Sequence, residues 1–278
     1  MRKKRALVIG VGGLRGTYDA GVAFTLCREL GPDYFDAIYA CSAGAYTAAH
    51  FALNQPDSGE NVWRNYLDGN KLVNFFNLFH GRQMFDLEYL TDVFKSGETL
   101  LHAENLSRIP TVLTYVLTEL HSGNPIYVQP TPENIFDFMK ASSAMPFLHS
   151  PIILDGVAYI DGGLSDPLPF AKAKADGYED IMIIYSKPRN FLGKERYDIS
   201  SRLFAACISP QIASLLKRQK LHSQNIEHEL ESEKDIKIIR PKNQLPLTSF
   251  IDSDKGRMNA TFDMGIADAR EFLKTYHG

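Results

Sequence analysis

ALVIGVGGLRGTYDAGV, residues 6–22, joins a short apolar run to a glycine-rich loop and then to a pattern typical of a helix. The helical spacing continues to Leu30, and Gly31-Pro32 ends it. A second apolar run at 35–40 leads directly into CSAGAYTAAHFAL, which predicts a turn followed by an alanine-rich helix. Strand, loop, helix, strand, turn and helix in this order predict a largely parallel α/β fold.

A glycine loop after a strand binds a dinucleotide, cradles a phosphate, or holds an oxyanion during acyl transfer. The dinucleotide motif G-x-G-x-x-G needs a glycine where this chain has Arg15, and an acidic residue where its second strand ends in Ala40-Cys41. The phosphate-binding motif needs a lysine after its last glycine, and none follows here. The third interpretation needs a nucleophile close by.

Ser42 is the candidate nucleophile, because it stands at a strand-to-helix turn with small residues, Ala40 and Gly44, two positions away on either side. This is the context of a nucleophile elbow, whose strained turn tolerates only small neighbours. A serine that merely caps the helix is the alternative interpretation of the motif alone. Gly12 and Gly13 lie at the end of the neighbouring strand, where their N–H groups could face the oxygen of a tetrahedral intermediate.

The composition excludes several classes of protein. The 278-residue chain is 44% hydrophobic and 23% charged with a formal net charge of −3, which is typical of a globular protein and not of a nucleic-acid binder. The apolar run after MRKKR is too short for a secretory signal, and no stretch reaches the roughly 18 apolar residues of a membrane span. Three dispersed cysteines and the absence of HExxH predict no disulfide framework, metal or cofactor. We expect a cytoplasmic protein that contacts membranes only peripherally.

Three motifs together resemble the patatin-like phospholipase family. Its loop G-G-G-x-[RK]-G corresponds to residues 11–16, its elbow G-x-S-x-G to residues 40–44, and its D-G-[GA] to Asp161-Gly162-Gly163, in the same order. The run ASSAMPFLHSPIILDGVAYIDGGLSDPLP (141–169) is also similar to the family's approach to its aspartate loop. The resemblance covers about residues 4–186, and 187–278 resembles bacterial members only loosely.

The resemblance implies a fold with a mostly parallel central sheet flanked by helices, a three-layer sandwich with a helical lid and insertions. We expect a single domain over 1–278, with its core at about 4–186, a helical insertion at about 195–232 and a C-terminal helix at about 253–275.

The resemblance also implies a Ser42–Asp161 dyad that cleaves esters of phospholipids or lysophospholipids. An aspartate is a weak base at its usual pKa of about 3.9, so apolar neighbours of Asp161 would have to desolvate it. The implied oxyanion loop comprises Gly12, Gly13, Leu14 and Arg15. The residues implied to support the elbow and the loops are Gly16, Ala40, Gly44, Gly162 and Gly163.

Other aspartates and histidines offer alternatives to Asp161. Asp155-Gly156 predicts a plain hairpin turn, and Asp166 predicts a helix start before Pro167. A histidine-containing triad would have to draw on residues that follow Asp161, but these are expected to be solvated surface side chains: His222, His228 and His277. His149 could line the pocket.

Two departures from the family motifs, Val11 and Ala40, each replace a glycine. They leave open a function of another class, that of a lipid-binding or regulatory protein without turnover. A general carboxylesterase is the second alternative. The aromatic stretch at 70–95 is expected to form core or a lid, and the basic run at 217–220 a solvated helix face. Cys41 is expected to fill space under the elbow.

Overall fold

The computed structural model describes residues 2–189, 210–233 and 235–276. Its described strands form one eight-stranded sheet through the hydrogen-bonded pairs β5–β6, β6–β3, β3–β2, β2–β1, β1–β7 and β7–β8, and β4 also pairs with β3. The strands are β1 (Arg5–Ile9), β2 (Ala37–Cys41), β3 (Val112–Glu119), β4 (Pro125–Val128), β5 (Ile152–Leu154), β6 (Val157–Asp161), β7 (Asp180–Ile184) and β8 (Lys237–Ile239).

The central part of the sheet is parallel, as predicted. β1 pairs in parallel with β2 and β7, β2 with β3, and β7 with β8, whereas β4 and β6 run antiparallel to β3, and β5 antiparallel to β6. The Asp155-Gly156 turn joins β5 to β6, and both residues adopt the positive φ angles, 49° and 78°, that a two-residue hairpin turn requires. The hairpin turn predicted at this position is confirmed.

Helices connect the strands, and two longer helices follow β7. The described α-helices are α1 (Gly16–Leu30), α2 (Ala43–Ala52), α3 (Pro56–Asn65), α4 (Leu87–Val93), α5 (Ile135–Ser143), α6 (Phe170–Ala175) and two longer helices, Pro210–Ser232 and Lys255–Thr275. The last one confirms the helix predicted at 253–275. The helix Pro210–Ser232 falls in the predicted insertion, whose first part, like His277, lies outside the described residues.

Both faces of the sheet are covered by helices. Leu7 and Ile9 of β1 belong to the larger apolar cluster, which contains the buried side chains of α1 and α2. Alternate residues of the same strand, Ala6 and Val8, belong to a second cluster together with Phe170 of α6 and apolar residues of the helix Pro210–Ser232. Because successive strand residues point to opposite faces, these two clusters define three layers.

The helix Lys255–Thr275 packs closely against α1 through glycines. A methyl group added to Gly21 would lie 2.3 Å from the carbonyl oxygen of Phe262, and one added to Gly265 would lie 2.3 Å from that of Tyr18. The Tyr18 hydroxyl donates to Asp268 Oδ2 at 2.8 Å. The helix therefore closes the outer face of α1 at backbone-to-backbone distance.

Candidate active site

Ser42 occupies a strained turn between β2 and α2. Its φ and ψ angles are 53° and −131°, which a non-glycine residue adopts at a cost of order 1–3 kcal/mol. Its backbone N–H donates to Ser142 Oγ at 2.8 Å, and the Ser142 hydroxyl in turn donates to the carbonyl oxygen of Val116 at 2.8 Å. Ser42 is 3% exposed, so buried hydrogen bonds hold the turn in this conformation.

The small residues around Ser42 allow the turn to approach β1. A methyl group on Gly44 would lie 3.0 Å from the carbonyl oxygens of both Ile9 and Gly10. Ala40 is fully buried within the sheet, where it pairs with Ile9, so the alanine at the position of the first elbow glycine fits. Cys41 is also buried, and its thiol contacts the carbonyl oxygen of Pro167 at 3.5 Å, in agreement with the expected packing role.

The strand register explains how Asp161 reaches Ser42. β2 and β4 both pair with Tyr115 and Val116, so they lie on opposite edges of β3. β4 and β6 both pair with Leu117, so β6 lies on the β2 edge. β2 ends opposite Val116 and the antiparallel β6 ends opposite Leu117, so the carboxyl ends of the two strands meet there.

Asp161 is hydrogen-bonded on both carboxylate oxygens. The Ser42 hydroxyl donates to Oδ2 at 2.7 Å, and the backbone N–H of Gly163 donates to Oδ1 at 2.8 Å. The carboxylate is 1% exposed. The Asp161 carbonyl oxygen accepts from Thr118 Oγ1 at 2.8 Å, which ties the residue to β3.

A side chain at either of the two glycines after Asp161 would collide with a different neighbour. A methyl group on Gly162 would lie 2.0 Å from the carbonyl oxygen of Val116, because this backbone crosses the junction of β2 and β6. A methyl group on Gly163 would lie 2.8 Å from Val11 Cγ2. The side chain of Val11, which replaces the first glycine of the motif, thus packs against the aspartate loop.

The N–H groups of the glycine loop differ in whether another backbone group of the protein already engages them. Val11 N–H donates to Pro167 at 3.0 Å and Leu14 N–H to Phe250 at 2.7 Å, both through backbone carbonyls. Within the described residues, the N–H groups of Gly12 and Gly13 have no such partner. Leu14 was expected in the oxyanion set, but in this structure its N–H is already engaged.

The loop lies against the elbow because two helices begin side by side. A methyl group on Gly16, the first residue of α1, would lie 3.1 Å from the Cβ of Ala43, the first residue of α2. Backbone N–H groups at both N-termini therefore converge near Ser42, which favours negative charge there. Arg15 adds a cationic group that opposes the rise in the pKa of nearby Asp19.

Asp19 is a buried carboxyl beneath the glycine loop. It is 1% exposed, and a methyl group on Gly12 would lie 3.2 Å from its Oδ2. Burial raises the pKa of Asp19 well above its usual range, although the nearby Ser186 and the charge of Arg15 act in the opposite direction. The carboxyl under the loop is therefore held towards its neutral form.

A narrow apolar cleft opens beside Ser42. Its accessible volume is about 40 Å³. Gly13, Leu14, Ser42 and Ala43 stand at its polar end. Apolar side chains form most of the remaining wall: Val62, Trp63, Leu67, Leu72, Phe85, Leu87, Leu90 and Phe94. The aromatic stretch at 70–95 thus supplies part of this wall, while Phe76 is 65% exposed.

The alternative candidates lie elsewhere. His149 is not among the residues that line the cleft, and its Nδ1 contacts the carbonyl oxygen of Ser150 at 2.7 Å. His228 is exposed on the helix Pro210–Ser232, as are Lys217 and Arg218 of the basic run. Asp166 does not begin a helix, because α6 starts at Phe170; its carboxylate instead accepts from the Tyr127 hydroxyl at 2.7 Å.

Sequence reasoning missed three residues of this region. Ser142 anchors the elbow, Phe250 engages the glycine loop, and Asp19 is buried beneath that loop. Ser142 stands in the ASSAMP run, and Asp19 is the only charged residue between Gly16 and Cys27 of α1, so both carried a signal. Phe250 carried none, because nothing local in its sequence points to residue 14.

The described residues contain neither a cluster suited to a metal ion nor a membrane-spanning helix. Among them, no three His, Cys, Asp or Glu side chains are placed so that they could hold a metal ion. In the same part of the chain, no helix has both the length and the apolar character needed to cross a lipid bilayer. The site as described consists of backbone N–H groups, one hydroxyl, one carboxylate and the apolar cleft.

The chain is similar in sequence to curated bacterial proteins. It is 30% identical over 187 residues to the YjjU protein of Escherichia coli (strain K12), an alignment that covers 66% of this chain and 52% of that protein. It is 28% identical over 167 residues to the NTE family protein Rv1063c of Mycobacterium tuberculosis (strain ATCC 25618 / H37Rv), covering 60% of this chain and 44% of that protein. The chain thus spans about half the length of these curated relatives.

A solved structure and a family model extend this comparison. The crystal structure of VipD from Legionella pneumophila superposes with a TM-score of 0.52 at 14% identity, covering 98% of this chain and 67% of that chain, which is a likeness of fold. The model of the patatin-like phospholipase family matches residues 7–174, which include the glycine loop, the elbow and the aspartate loop. The chain therefore belongs to the patatin-like phospholipase family.

Proposed function

We propose that this chain is a serine acyl hydrolase that cleaves ester bonds of phospholipids or lysophospholipids through a Ser42–Asp161 dyad. Its family is one of lipid hydrolases. The observation that carries the proposal is the hydrogen bond of 2.7 Å from Ser42 Oγ to Asp161 Oδ2 at the polar end of an apolar cleft.

In the proposed mechanism Ser42 Oγ attacks the ester carbonyl carbon while its proton passes to Asp161 Oδ2. The N–H groups of Gly12 and Gly13 stabilise the oxyanion, and each such donor is typically worth about 2.7–4 kcal/mol of barrier. When the tetrahedral intermediate collapses, Asp161 returns the proton to the leaving alcohol. Water then attacks the acyl-enzyme, with Asp161 again as the base, and releases the fatty acid.

The cleft supports a single acyl chain as the group that is bound. Its accessible volume is only about 40 Å³ and its lining is almost entirely apolar, which suits a slender alkyl chain better than a bulky polar group. Its walls are aliphatic and aromatic, so burial of methylene groups there contributes about 0.8 kcal/mol each. We propose a peripheral, transient contact with the membrane that contains the substrate, in a cytoplasmic protein.

The test compares hydrolysis of p-nitrophenyl esters by wild type, Ser42→Ala, Asp161→Asn and the control Asp155→Asn. Asp155 belongs to the other Asp-Gly pair of this region and adopts a positive φ that asparagine tolerates. We expect both dyad variants to lose at least about 10³-fold in kcat/KM, and Asp155→Asn to retain wild-type activity. Activity that survives in Ser42→Ala would refute the dyad.

The alternative is a lipid-binding protein on the same fold that lacks turnover. The engagement of the Val11 and Leu14 N–H groups within the protein favours it, because fewer loop N–H groups are then left for an oxyanion. A fluorophosphonate probe that labels wild type and not Ser42→Ala would support the hydrolase. Binding of a fluorescent fatty acid without labelling or turnover would support the alternative.

A further inference from the structure

Residues 248–253, which we call the strap, cross the glycine loop beside Ser42. The carbonyl oxygen of Phe250 accepts the N–H of Leu14 at 2.7 Å. Gly13 has a φ of 58°, and a methyl group there would lie 2.6 Å from the same carbonyl oxygen. The backbone of the strap and the backbone of the loop are therefore in direct contact at the residue that carries a proposed oxyanion donor.

Asp252 fixes the conformation of the strap. Its Oδ2 accepts from the backbone N–H of Thr248 at 2.9 Å and from the Thr248 hydroxyl at 2.7 Å. Arg257 donates to the same carboxylate through Nε at 2.9 Å and Nη2 at 2.7 Å. The Asp252 side chain itself is 6% exposed, whereas its partners Thr248 and Arg257 are exposed, and the four hydrogen bonds together constrain the turn that presents the Phe250 carbonyl.

The strap also contacts the surroundings of the other candidate residue. Phe250 packs against an apolar cluster that contains Leu164, in the turn directly after Gly163. At its end, Ser253 accepts the N–H of Gly69 through its carbonyl oxygen at 2.8 Å. One short segment thus bears on both the glycine loop and the aspartate loop.

We propose that the strap holds the glycine loop in its oxyanion-binding conformation, and that Asp252 is a positioning residue of the reaction, acting through Phe250 on the N–H groups of Gly12 and Gly13. The inference rests on the proposed hydrolase function. A glycine-rich loop loses much conformational entropy when it is ordered, so it needs external contacts to stay in one conformation. Misplacement of such donors by about 1 Å costs about 10²-fold in rate.

The test compares Asp252→Asn with Asp254→Asn, the same change two residues further on. Asp254 caps the helix Lys255–Thr275 by accepting the N–H of Arg257 at 2.8 Å, and asparagine caps equally well. For each variant kcat, KM and the inhibition constant of a trifluoromethyl ketone are measured, with enzyme concentration taken from fluorophosphonate titration. The ketone forms a tetrahedral adduct with Ser42 whose oxygen occupies the oxyanion position.

We expect Asp252→Asn to lower kcat by about 10–100-fold and to raise the inhibition constant by a similar factor, with KM changed by less than about threefold. Asp254→Asn should match wild type in all three. A folded Asp252→Asn with the kcat and inhibition constant of wild type would overturn the proposal. Arg257→Gln, at a side chain that is 46% exposed, replaces it if Asp252→Asn does not fold, with the same direction expected and the same refutation.

Amide hydrogen exchange separates this proposal from the proposed function. In wild type the N–H of Leu14 is bonded to Phe250, so it should be protected, and Asp252→Asn should accelerate its exchange by at least about tenfold while Asp254→Asn should not. If wild type hydrolyses no ester, the proposed function fails, but the exchange result still decides whether Asp252 holds the loop. Unchanged exchange of Leu14 in Asp252→Asn would overturn the role of the strap.

Discussion

Replacing Ser142 by alanine should destabilise the elbow, because one hydroxyl serves two buried backbone groups. Ser142 Oγ accepts the N–H of Ser42 and donates to the carbonyl oxygen of Val116, each at 2.8 Å, and the residue is fully buried. Each of the two groups left without a partner costs about 1–3 kcal/mol, so we expect Ser142→Ala to lose about 2–6 kcal/mol of unfolding free energy.

The neighbouring serine supplies the control. Ser143 is also buried, but its hydroxyl has no hydrogen-bond partner among the described residues. Ser143→Ala removes the same atom without separating a hydrogen-bonded pair, so its unfolding free energy should change by no more than about 0.5 kcal/mol, or rise.

Urea unfolding followed by tryptophan fluorescence measures both variants. Trp63 is the single tryptophan of the chain and is 5% exposed in the wall of the cleft, so its emission reports the packing of this region. With a slope of about 2–3 kcal/mol per molar urea, the midpoint of Ser142→Ala should lie at least about 0.5 M urea below that of Ser143→Ala. Equal midpoints for the two variants would refute the anchoring role of Ser142.

Two further variants test other features of the fold. Burial lowers the pKa of His50 in the folded protein from 6.5 to about 4, so the unfolded chain binds the proton more tightly. The folded state is therefore most favoured above pH 6.5, where His50 is neutral in both states, and it loses stability as the pH falls towards 4. Over that window wild type should lose about 3 kcal/mol that His50→Leu does not, and equal pH slopes of unfolding free energy would contradict this. Gly162→Ala would place a methyl group 2.0 Å from the Val116 oxygen, whereas Gly156→Ala meets no atom within 4 Å and carries only the cost of its positive φ of 78°. We expect losses of more than about 3 kcal/mol and of about 1 kcal/mol respectively in thermal unfolding, and similar losses would show that the contact at Gly162 relaxes.

Local chemistry explains what the sequence could predict. β1, α1 and β2 have unbroken apolar patterns, and the glycines between them leave few conformations open, so the order of these elements follows from residues 6–53 alone. Ser42 and Asp161 are close in this structure, as their motifs indicated, and their catalytic roles remain predictions. The choice of Asp161 over Asp155 came from motif order, and Asp155 does lie in the tight hairpin turn.

Contacts between distant parts of the chain explain what could not be predicted. The place of β6 on the β2 edge of β3 is a matter of register, which no periodicity in the sequence records. Leu14 belongs to a well-marked loop, yet the group that engages its N–H comes from a segment outside every motif. The prediction that Asp166 begins a helix was wrong. An aspartate before a proline is typical of a helix start, but here the Asp166 carboxylate accepts a hydrogen bond from the Tyr127 hydroxyl.

The glycine contact between α1 and the helix Lys255–Thr275 has a consequence for the order of events on the ribosome. Tyr18 and Asp268, which this contact joins, are 250 residues apart, so the outer face of α1 stays uncovered while most of the chain is made. Synthesis at about 5–20 residues per second leaves that apolar face open for at least about 12 seconds, long enough for a chaperone to bind it. The strap emerges in the same late interval, so a nascent chain would carry Ser42 and Asp161 well before the strap could hold the glycine loop in the conformation that we propose for the oxyanion donors.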